Sequence, residues 1–182
     1  MRREEELYVQ MADRMKGDFH SGMRVLELAC GTGTLSFLLA EAVSLWVATD
    51  YSPNMIDVAK KEKAPDTLVF QLQDATRLPY ESGSFDAIVI ANALHVIPKP
   101  ERVLQEIERV LKMDGSLFAP IFLPMKRTRQ VLLRLAGMRR ENQWDEKTYP
   151  AFIENCGFTV SEEALLTGKN LRLCYVKAKK AL

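Results

Sequence analysis

The segment VLELACGTGTLSFLLA, residues 25–40, decides the fold. It begins as a short apolar strand, breaks at CGTGT and continues with apolar residues at helical spacing. Glycines at the break allow positive φ values and a close approach of the backbone to a ligand. The helix that follows presents unpaired N–H groups and the positive end of its dipole. A strand, a glycine turn and a helix in this order predict a ligand-binding turn at the carboxyl edge of a parallel sheet.

Strand and helix patterns alternate along the rest of the chain. Apolar strand patterns occupy residues 23–29, 44–50, 67–73, 84–92 and 115–124. Helical patterns occupy residues 3–16, the stretch after the glycine turn, the stretches that begin at Pro53 and Pro100, and residues 145–157. We expect lysines in the last turn of the helix from Pro53, and we expect Asp114-Gly115 to stop the helix from Pro100.

Two β-like segments joined by TGK close the chain and predict a hairpin. The alternation as a whole predicts an α/β fold. This fold is a Rossmann-like, doubly wound, mostly parallel seven-stranded sheet, with a C-terminal antiparallel hairpin strand and helices on both faces.

Composition excludes several classes of protein. The 182 residues carry 25 Lys+Arg against 24 Asp+Glu, and 47% are hydrophobic, as in a globular domain. No run approaches the length of an apolar spanning helix, and the charged start MRREEELYVQ lacks the apolar core of a secretory signal. We expect a single domain over residues 1–182, with an N-terminal helix and loop over 1–22 and a variable cover segment over 124–150.

Cysteine spacing and net charge limit the partners. Cys30, Cys156 and Cys174 form neither a CxxC pair nor a zinc framework, so we expect no metal and a reduced, cytoplasmic location. A net charge of +1 gives no reason to expect nucleic acid. We expect a small-molecule partner, no nucleic acid and no stable membrane insertion, and a homodimer stays open. The basic segment 126–140 is interpreted as a solvated helix face, with recruitment of an anionic acceptor or a membrane surface as the alternative.

Acidic residues near the glycine turn indicate the kind of ligand. Asp50 follows Gly31 at a spacing of about 20 residues, where an acidic side chain accepts hydrogen bonds from ribose hydroxyls. Ser36 stands where the dinucleotide pattern GxGxxG has its third glycine. Glu27 precedes the turn, and a carboxylate there suits an ammonium or a sulfonium better than a pyrophosphate. These features predict an adenosine ligand.

Three segments resemble the class I S-adenosylmethionine-dependent methyltransferases. VLELACGTGTLSFLLA resembles their motif I, VATDYSPNMIDVAK (47–60) resembles their second-strand motif, and residues 71–118 resemble their block from the third to the fifth strand. The likeness is to the broad small-molecule group that includes the ubiquinone and menaquinone C-methyltransferases, and it covers about residues 23–123. It implies S-adenosylmethionine as cofactor and methyl transfer to a small-molecule acceptor by in-line displacement. Ala29 stands where this family often has glycine, which is tolerable if the backbone there stays extended.

The resemblance implies a set of cofactor-binding residues. They lie at, or shortly after, the carboxyl end of each of the first four strands: Glu27, Ala29, Cys30, Gly31, Gly33, Asp50, Tyr51, Met55, Asp74, Ala75 and Asn92. The residues at the end of the first strand and in the glycine turn, from Glu27 to Gly33, frame the methionine half of the cofactor. Asp50 binds the ribose hydroxyls, and Tyr51 and Met55 pack against the adenine. Asp74 accepts a hydrogen bond from the adenine amino group, Ala75 adds a backbone contact, and the asparagine that ends the fourth strand lies beside the reacting methyl group. Ordinary roles stay open: a surface aromatic for Tyr51, a core residue for Met55 and a turn cap for Asp74.

His95 is the candidate general base. It lies just beyond the fourth strand, and an unperturbed pKa of about 6.5 suits proton removal near neutrality. A capping or packing role in its loop is the alternative, and Tyr8 and Tyr149 are candidates for the acceptor side. Two other functions stay open: a non-catalytic S-adenosylmethionine-binding regulatory or partner subunit, and an NAD-dependent oxidoreductase, against which the missing third glycine counts. The acceptor is not predicted, because fold and cofactor do not determine substrate.

Overall fold

The computed structural model of the chain describes residues 5–123, 142–168 and 171–181. The helices are α1 (Glu5–Lys16), α2 (Thr34–Leu39), α3 (Pro53–Ala59), α4 (Pro100–Val110) and α5 (Thr148–Asn155). The strands are β1 (Arg24–Leu28), β2 (Leu45–Asp50), β3 (Leu68–Leu72), β4 (Phe85–Ile90), β5 (Leu111–Phe118), β6 (Ile121–Phe122), β7 (Phe158–Thr167) and β8 (Arg172–Lys180). Within the described ranges, no helix combines the length and the apolar character needed to cross a bilayer.

The strands form one sheet whose order confirms the predicted fold. β3, β2, β1, β4 and β5 lie side by side and run parallel. β8 pairs antiparallel with β5 and β6 on one side and with β7 on the other. The sheet has eight strands instead of seven because the predicted strand over 115–124 is divided at Ala119-Pro120, where proline offers no N–H to the ladder.

The order of the strands locates a ligand site. The chain moves outward from β1 to β2 and β3, then returns to the other side of β1 to form β4 and β5. The sheet therefore reverses its order between β1 and β4. In open parallel sheets the crevice at such a reversal, beyond the carboxyl ends of the strands, is where ligands bind.

Helices pack on both faces of the sheet. The apolar stripe predicted for α4 is confirmed, since Val103, Leu104, Ile107 and Val110 are fully buried against one face together with residues of α5. The N-terminal helix α1 buries Leu7, Met11 and Met15 in a second cluster on the opposite face, with α2 and α3. Burial of these side chains is the main stabilising contribution of each helix. Gly157 follows α5 with a φ of 91°, as expected for the glycine after a helix.

Two helix ends differ from the sequence-based expectation. α3 ends at Ala59, so the lysines expected in its last turn lie beyond it, because residues 60–63 are exposed and offer the sheet no apolar side chain. α4 ends at Val110, because Leu111 is buried as the first residue of β5 and pairs with Phe85. Asp114-Gly115 therefore lies within a strand. The register shifts there, and a Cβ at Gly115 would lie 2.6 Å from the Cδ1 atom of Leu111.

Some sequence-based expectations fall on other parts of the chain. The basic segment 126–140 lies outside the described residues. So do residues 124–141 of the predicted cover segment 124–150. The division of residues 1–182 into one domain with a helix and loop over 1–22 stays a prediction.

Candidate active site

Two adjoining cavities lie at the carboxyl ends of β1 to β4. The larger cavity, of about 680 Å³, extends from the turn after β1 past the ends of β2 and β3 to the loop after β4. The smaller cavity, of about 470 Å³, lies between the same turn, the start of α2 and Tyr8 of α1. Ala29, Gly31, Met55 and Asn92 line both cavities, so the two meet at the point where the sheet reverses its order.

The residues singled out for the cofactor gather at these cavities, with one exception. The larger cavity is also lined by Asp50, Tyr51, Asp74 and Ala75. The smaller cavity is also lined by Glu27 and Cys30. Gly33 lines neither. The structure thus brings together ten residues taken from the ends of four strands, and their individual roles toward a ligand stay predictions.

Gly33 has a packing role. It is the residue before α2, with a φ of 84°, and a Cβ there would lie 2.8 Å from the Cζ atom of Phe70 in β3. The absence of a side chain therefore allows α2 to pack closely on the sheet. At Gly31, by contrast, φ is 57° and a Cβ would meet no neighbouring atom within 4 Å. The backbone of Gly31 is accordingly exposed to open space in both cavities.

The turn after β1 is more tightly bent than the sequence suggested. Ala29 has a φ of 54°, so its backbone is not extended, and the condition under which alanine would be tolerable there is not met. The reason lies in the next two residues, which both bond to the end of β2. The N–H of Cys30 donates to the carbonyl of Thr49 (2.9 Å), and the N–H of Gly31 donates to Oδ2 of Asp50 (2.8 Å). A left-handed conformation costs a non-glycine residue roughly 1–2 kcal/mol.

Asp50 is held rigidly at the end of β2. Its Oδ2 accepts from Gly31, and its Oδ1 accepts from the N–H of Ser52 at 2.8 Å. Each carboxylate oxygen retains a further lone pair for a ligand. A carboxylate fixed in this way can accept hydrogen bonds from two neighbouring hydroxyls without rearrangement.

Asp74 shows the turn-capping contacts that were its alternative interpretation. Its Oδ1 accepts from the N–H (2.8 Å) and from the hydroxyl (2.7 Å) of Thr76. Its Oδ2 accepts no hydrogen bond from the described residues, and Asp74 also lines the larger cavity. Tyr51 and Met55 keep 77% and 42% of their surface exposed, so both offer uncovered apolar area beside the cavity.

Glu27 is a carboxylate buried in the wall of the smaller cavity. It is 2% exposed, and its Oε2 accepts from the Ser36 hydroxyl and from the indole N–H of Trp46, at 2.8 Å for the latter. Burial raises the pKa of Glu27 to about 7, the two hydrogen bonds lower it, and the charge of Asp50 raises it further. Burial also raises the pKa of the Cys30 thiol, which therefore stays neutral and is a poor nucleophile.

The predicted general base does not line either cavity. His95 is 7% exposed in the loop after β4, and its carbonyl accepts from the N–H of Asn142 (3.1 Å). Its neighbours Ala93 and Val96 line the larger cavity. A catalytic role for His95 stays a prediction. Tyr149 is fully buried and donates to the carbonyl of Ala119 (2.8 Å), so its proposed place on the acceptor side is wrong.

An ion pair on α4 was missed from the sequence. Glu106 accepts from the N–H of Leu78 (2.8 Å), and Arg109 donates to the carbonyls of Leu78 (2.9 Å) and Tyr80 (2.6 Å) as well as to Glu106. Together they fasten the loop after β3, which carries Asp74. The available signal was an acidic residue on the buried face of α4, three residues before an arginine.

The charges of the two cavities select among ligands. Among the described residues that line them, the charged side chains are Glu27, Asp50 and Asp74, and no lysine, arginine or histidine is present. A pyrophosphate placed there would face carboxylates alone, whereas an ammonium or a sulfonium would be stabilised.

An adenosine ligand with a cationic tail fits this arrangement. The proteins that combine this sheet order with such a site are the class I S-adenosylmethionine-dependent methyltransferases. Residues 26–119 match the model of the methyltransferase domain family, and the chain belongs to that family. The resemblance drawn from the three sequence segments is thereby confirmed.

Curated relatives are similar over part of their length. The chain is 42% identical over 98 residues to a demethylmenaquinone methyltransferase of Clavibacter sepedonicus, covering 53% of this chain and 40% of that protein. It is 37% identical over 121 residues to a demethylmenaquinone methyltransferase of Lactococcus lactis, covering 63% of this chain and 48% of that protein. The chain thus spans less than half the length of these curated relatives.

Solved structures share the fold at low identity. A methyltransferase in complex with the Trm112 activator of Haloferax volcanii superposes with a TM-score of 0.82 at 17% identity, covering 98% of this chain and 92% of that one. Magnesium protoporphyrin IX methyltransferase from Synechocystis PCC 6803, with bound SAH, superposes with a TM-score of 0.77 at 19% identity, covering 98% and 84%.

Proposed function

We propose that the chain is an S-adenosylmethionine-dependent methyltransferase that moves a methyl group to a small-molecule acceptor by in-line displacement. The observation that carries the proposal is the pair of joined cavities whose charged lining, among the described residues, is wholly acidic. Asp50 and Asp74 would hold the adenosine, and Glu27 would face the cationic amino-acid end. Membership of the methyltransferase domain family supports this proposal.

The chain contributes position more than covalent chemistry. Bound S-adenosylmethionine supplies a methyl group activated by its sulfonium. Asp50 has both oxygens fixed by backbone N–H groups, so it is preorganised for ribose hydroxyls. Asn92 lies where the two cavities meet, with a φ of 54° and its Oδ1 accepting from the N–H of Phe122 (3.2 Å). We infer that this fixed side chain stands beside the reacting methyl group, where correct placement supplies much of the rate.

The same proposal covers the acceptor, the general base and the cellular location. The curated relatives are named for demethylmenaquinone, which is therefore the first acceptor to test. His95 is proposed as general base for an acceptor that carries a proton at the working pH. The proposal also places the chain in the cytoplasm, with no nucleic-acid partner and no stable membrane insertion. Whether the chain forms a homodimer stays open.

Calorimetric titration tests the cofactor. We expect S-adenosylhomocysteine to bind with micromolar affinity and NAD not to bind. Asp50→Asn should weaken binding by at least tenfold, because one carboxylate oxygen that accepts from ribose is lost. Asp57→Asn is the matched control, since Asp57 is exposed on α3 and lines neither cavity. Equal binding by both variants, or binding of NAD in place of the sulfur ligand, would overturn the proposal.

Transfer of a labelled methyl group tests the reaction. Methyl-labelled S-adenosylmethionine is incubated with short-chain demethylmenaquinone and a panel of small phenols, amines and carboxylates, and label is sought in each product. Label in an acceptor, lost in Asp50→Asn and kept in Asp57→Asn, is expected. Binding of cofactor without transfer to any member of the panel would count against catalysis of small-molecule methylation.

A further inference from the structure

Glu27 receives both of its hydrogen bonds on one oxygen. The Ser36 hydroxyl and the Trp46 indole N–H both donate to Oε2. Oε1 accepts no hydrogen bond from the described residues, although the side chain is almost fully buried and lines the smaller cavity. The carboxylate is therefore fixed on one side and available to a ligand on the other.

Trp46 is positioned to hold this orientation. It is fully buried in β2, and its ring packs edge-on against Phe19, with the ring centroids 5.5 Å apart. Its backbone N–H is bonded to the carbonyl of Thr67 at 2.7 Å. Because the indole is locked by this packing, its N–H is directed at Glu27 before any ligand arrives. The motifs that indicated the family did not involve this tryptophan.

The described residues around Glu27 provide no compensating positive charge. Asp50 at the end of β2 adds a second negative charge, the Cys30 thiol stays neutral, and Tyr8 of α1 faces the same cavity. No lysine, arginine or histidine of the described part of the chain lines that cavity. No described residue of that cavity can therefore neutralise Glu27, whereas a ligand that carries a cation can.

We propose that Trp46 is a positioning residue that, with Ser36, presents Oε1 of Glu27 to the ligand's cationic amino group, so that cofactor binding releases the proton from the protonated form of Glu27. The inference rests on the proposed function, since it takes S-adenosylmethionine or its demethylated product as the ligand. Bonds and charges balance in this step. The carboxylic O–H bond breaks, the proton passes to the solvent, and the carboxylate pairs with the ammonium.

Calorimetry across pH 6 to 8.5 distinguishes the contribution of the ligand's amino-acid end to binding from the contribution of its nucleoside. Because the pKa of Glu27 is about 7, the affinity for S-adenosylhomocysteine should rise by about tenfold between pH 6 and pH 8. Buffers of different ionisation enthalpy should report release of about half a proton at pH 7. Methylthioadenosine, which lacks the amino-acid end, should bind with little pH dependence. Glu27→Gln should make the profile of S-adenosylhomocysteine equally flat.

The Trp46→Phe variant tests the positioning role. Loss of the indole donor removes a bond to the charged form of Glu27, so the affinity profile should move upward by about one pH unit. S-adenosylhomocysteine should bind about fivefold more weakly at pH 7 and within about twofold of the original chain at pH 8.5. Ser36→Ala should shift the profile in the same direction. Trp144→Phe, at a tryptophan that stacks on Phe152 away from both cavities, is the control and should cause no shift.

The outcomes are distinguishable. Equal weakening of binding at every pH in Trp46→Phe and Ser36→Ala would show a merely structural role and overturn the inference. A flat pH profile for S-adenosylhomocysteine in the original chain, with no proton released, would overturn it as well while leaving the cofactor site in place. Failure of both S-adenosylhomocysteine and methylthioadenosine to bind would instead contradict the proposed function.

Discussion

At the residue scale, the turn after β1 stores local strain at Ala29. Its left-handed backbone is imposed by the bonds that Cys30 and Gly31 make to the end of β2. The same bend exposes the backbone of Gly31 to both cavities. The strain at Ala29 is therefore part of the geometry that forms the candidate site, and it is a cost that glycine would avoid.

Ala29→Gly should stabilise the protein. Glycine adopts this φ without steric cost, and the gain should exceed its extra entropy in the unfolded chain, giving about 1 kcal/mol in the free energy of unfolding. Urea denaturation measures the change. Ala91→Gly is the control, because φ at Ala91 is not positive, and it should destabilise by up to about 1 kcal/mol. A loss of stability in both variants would contradict the strain at Ala29.

The buried carboxylate of Glu27 should make stability depend on pH. Its pKa is raised from 4.5 to about 7, so the folded state binds the proton more tightly than the unfolded state. This contribution is fully present below about pH 4.5 and is lost as the pH rises through 7, with a total of about 3 kcal/mol. The difference in unfolding free energy between the original chain and Glu27→Gln, measured from pH 5 to pH 8, should move by about 2.5 kcal/mol of this total in favour of the variant. Parallel curves would contradict the prediction.

At the element scale, α4 serves both the core and the site. Its apolar stripe packs under the sheet, while Glu106 and Arg109 reach the loop between β3 and β4. The pair makes five hydrogen bonds: three to the backbone of Leu78 and Tyr80, and two between Arg109 and Glu106. Because that loop begins at Asp74, in the wall of the larger cavity, α4 helps to fix the shape of the site, and its Val103 also lines that cavity.

Arg109→Met should loosen this loop. The substitution leaves the buried carboxylate of Glu106 without its cationic partner, and we expect a loss of about 2 kcal/mol in the free energy of unfolding at pH 7. Arg109 holds the pKa of Glu106 below its ordinary value of 4.5, so the loss should shrink only as the pH falls below 4.5 and through this lowered pKa. Limited proteolysis should cut faster between residues 74 and 84.

Arg102→Met is the matched control for this prediction. Arg102 lies on the same helix but is exposed, and its two hydrogen bonds are both 3.3 Å long. Its loss should change the unfolding free energy by less than about 0.5 kcal/mol. Equal effects of the two substitutions would show that the ion pair with Glu106 does not fix the loop.

At the scale of the whole molecule, the two cavities join segments that follow four of the five parallel strands. The turn after β1, the ends of β2 and β3 and the loop after β4 all contribute lining residues. A ligand that fills both cavities therefore contacts four separate segments of one cooperative core. Its binding free energy should be added to the stability of the whole fold.

Thermal denaturation should show this coupling. At a concentration of S-adenosylhomocysteine one hundred times its Kd, the folded state gains about 2.7 kcal/mol, which corresponds to a rise of about 5 to 10 °C in Tm for a chain of this size. NAD at the same concentration should leave Tm unchanged. Absence of a shift with S-adenosylhomocysteine at saturation, or an equal shift with NAD, would contradict the predicted selectivity of the site.

The sequence was sufficient for the order of elements because each strand of the parallel half is an apolar run between turn residues. It could not place the end of α4, since Leu111 continues the apolar helix face equally well and only its burial against Phe85 favours the strand. It also could not pair Glu27 with Trp46. Glu27 lies opposite Ala48 in the register of β1 and β2, so the indole reaches it diagonally along the same face.

The position of β8 between β5 and β7 has a consequence for folding during synthesis. The strands β1 to β5 leave the ribosome long before residues 172–180, which must then pair beside Leu117 and Phe118. Until that moment the edge of β5 presents unpaired N–H and C=O groups together with apolar side chains, which form a template for pairing with another chain. The half-finished sheet is therefore the stage most prone to aggregation, and the yield of folded protein should depend on how quickly the last hairpin docks.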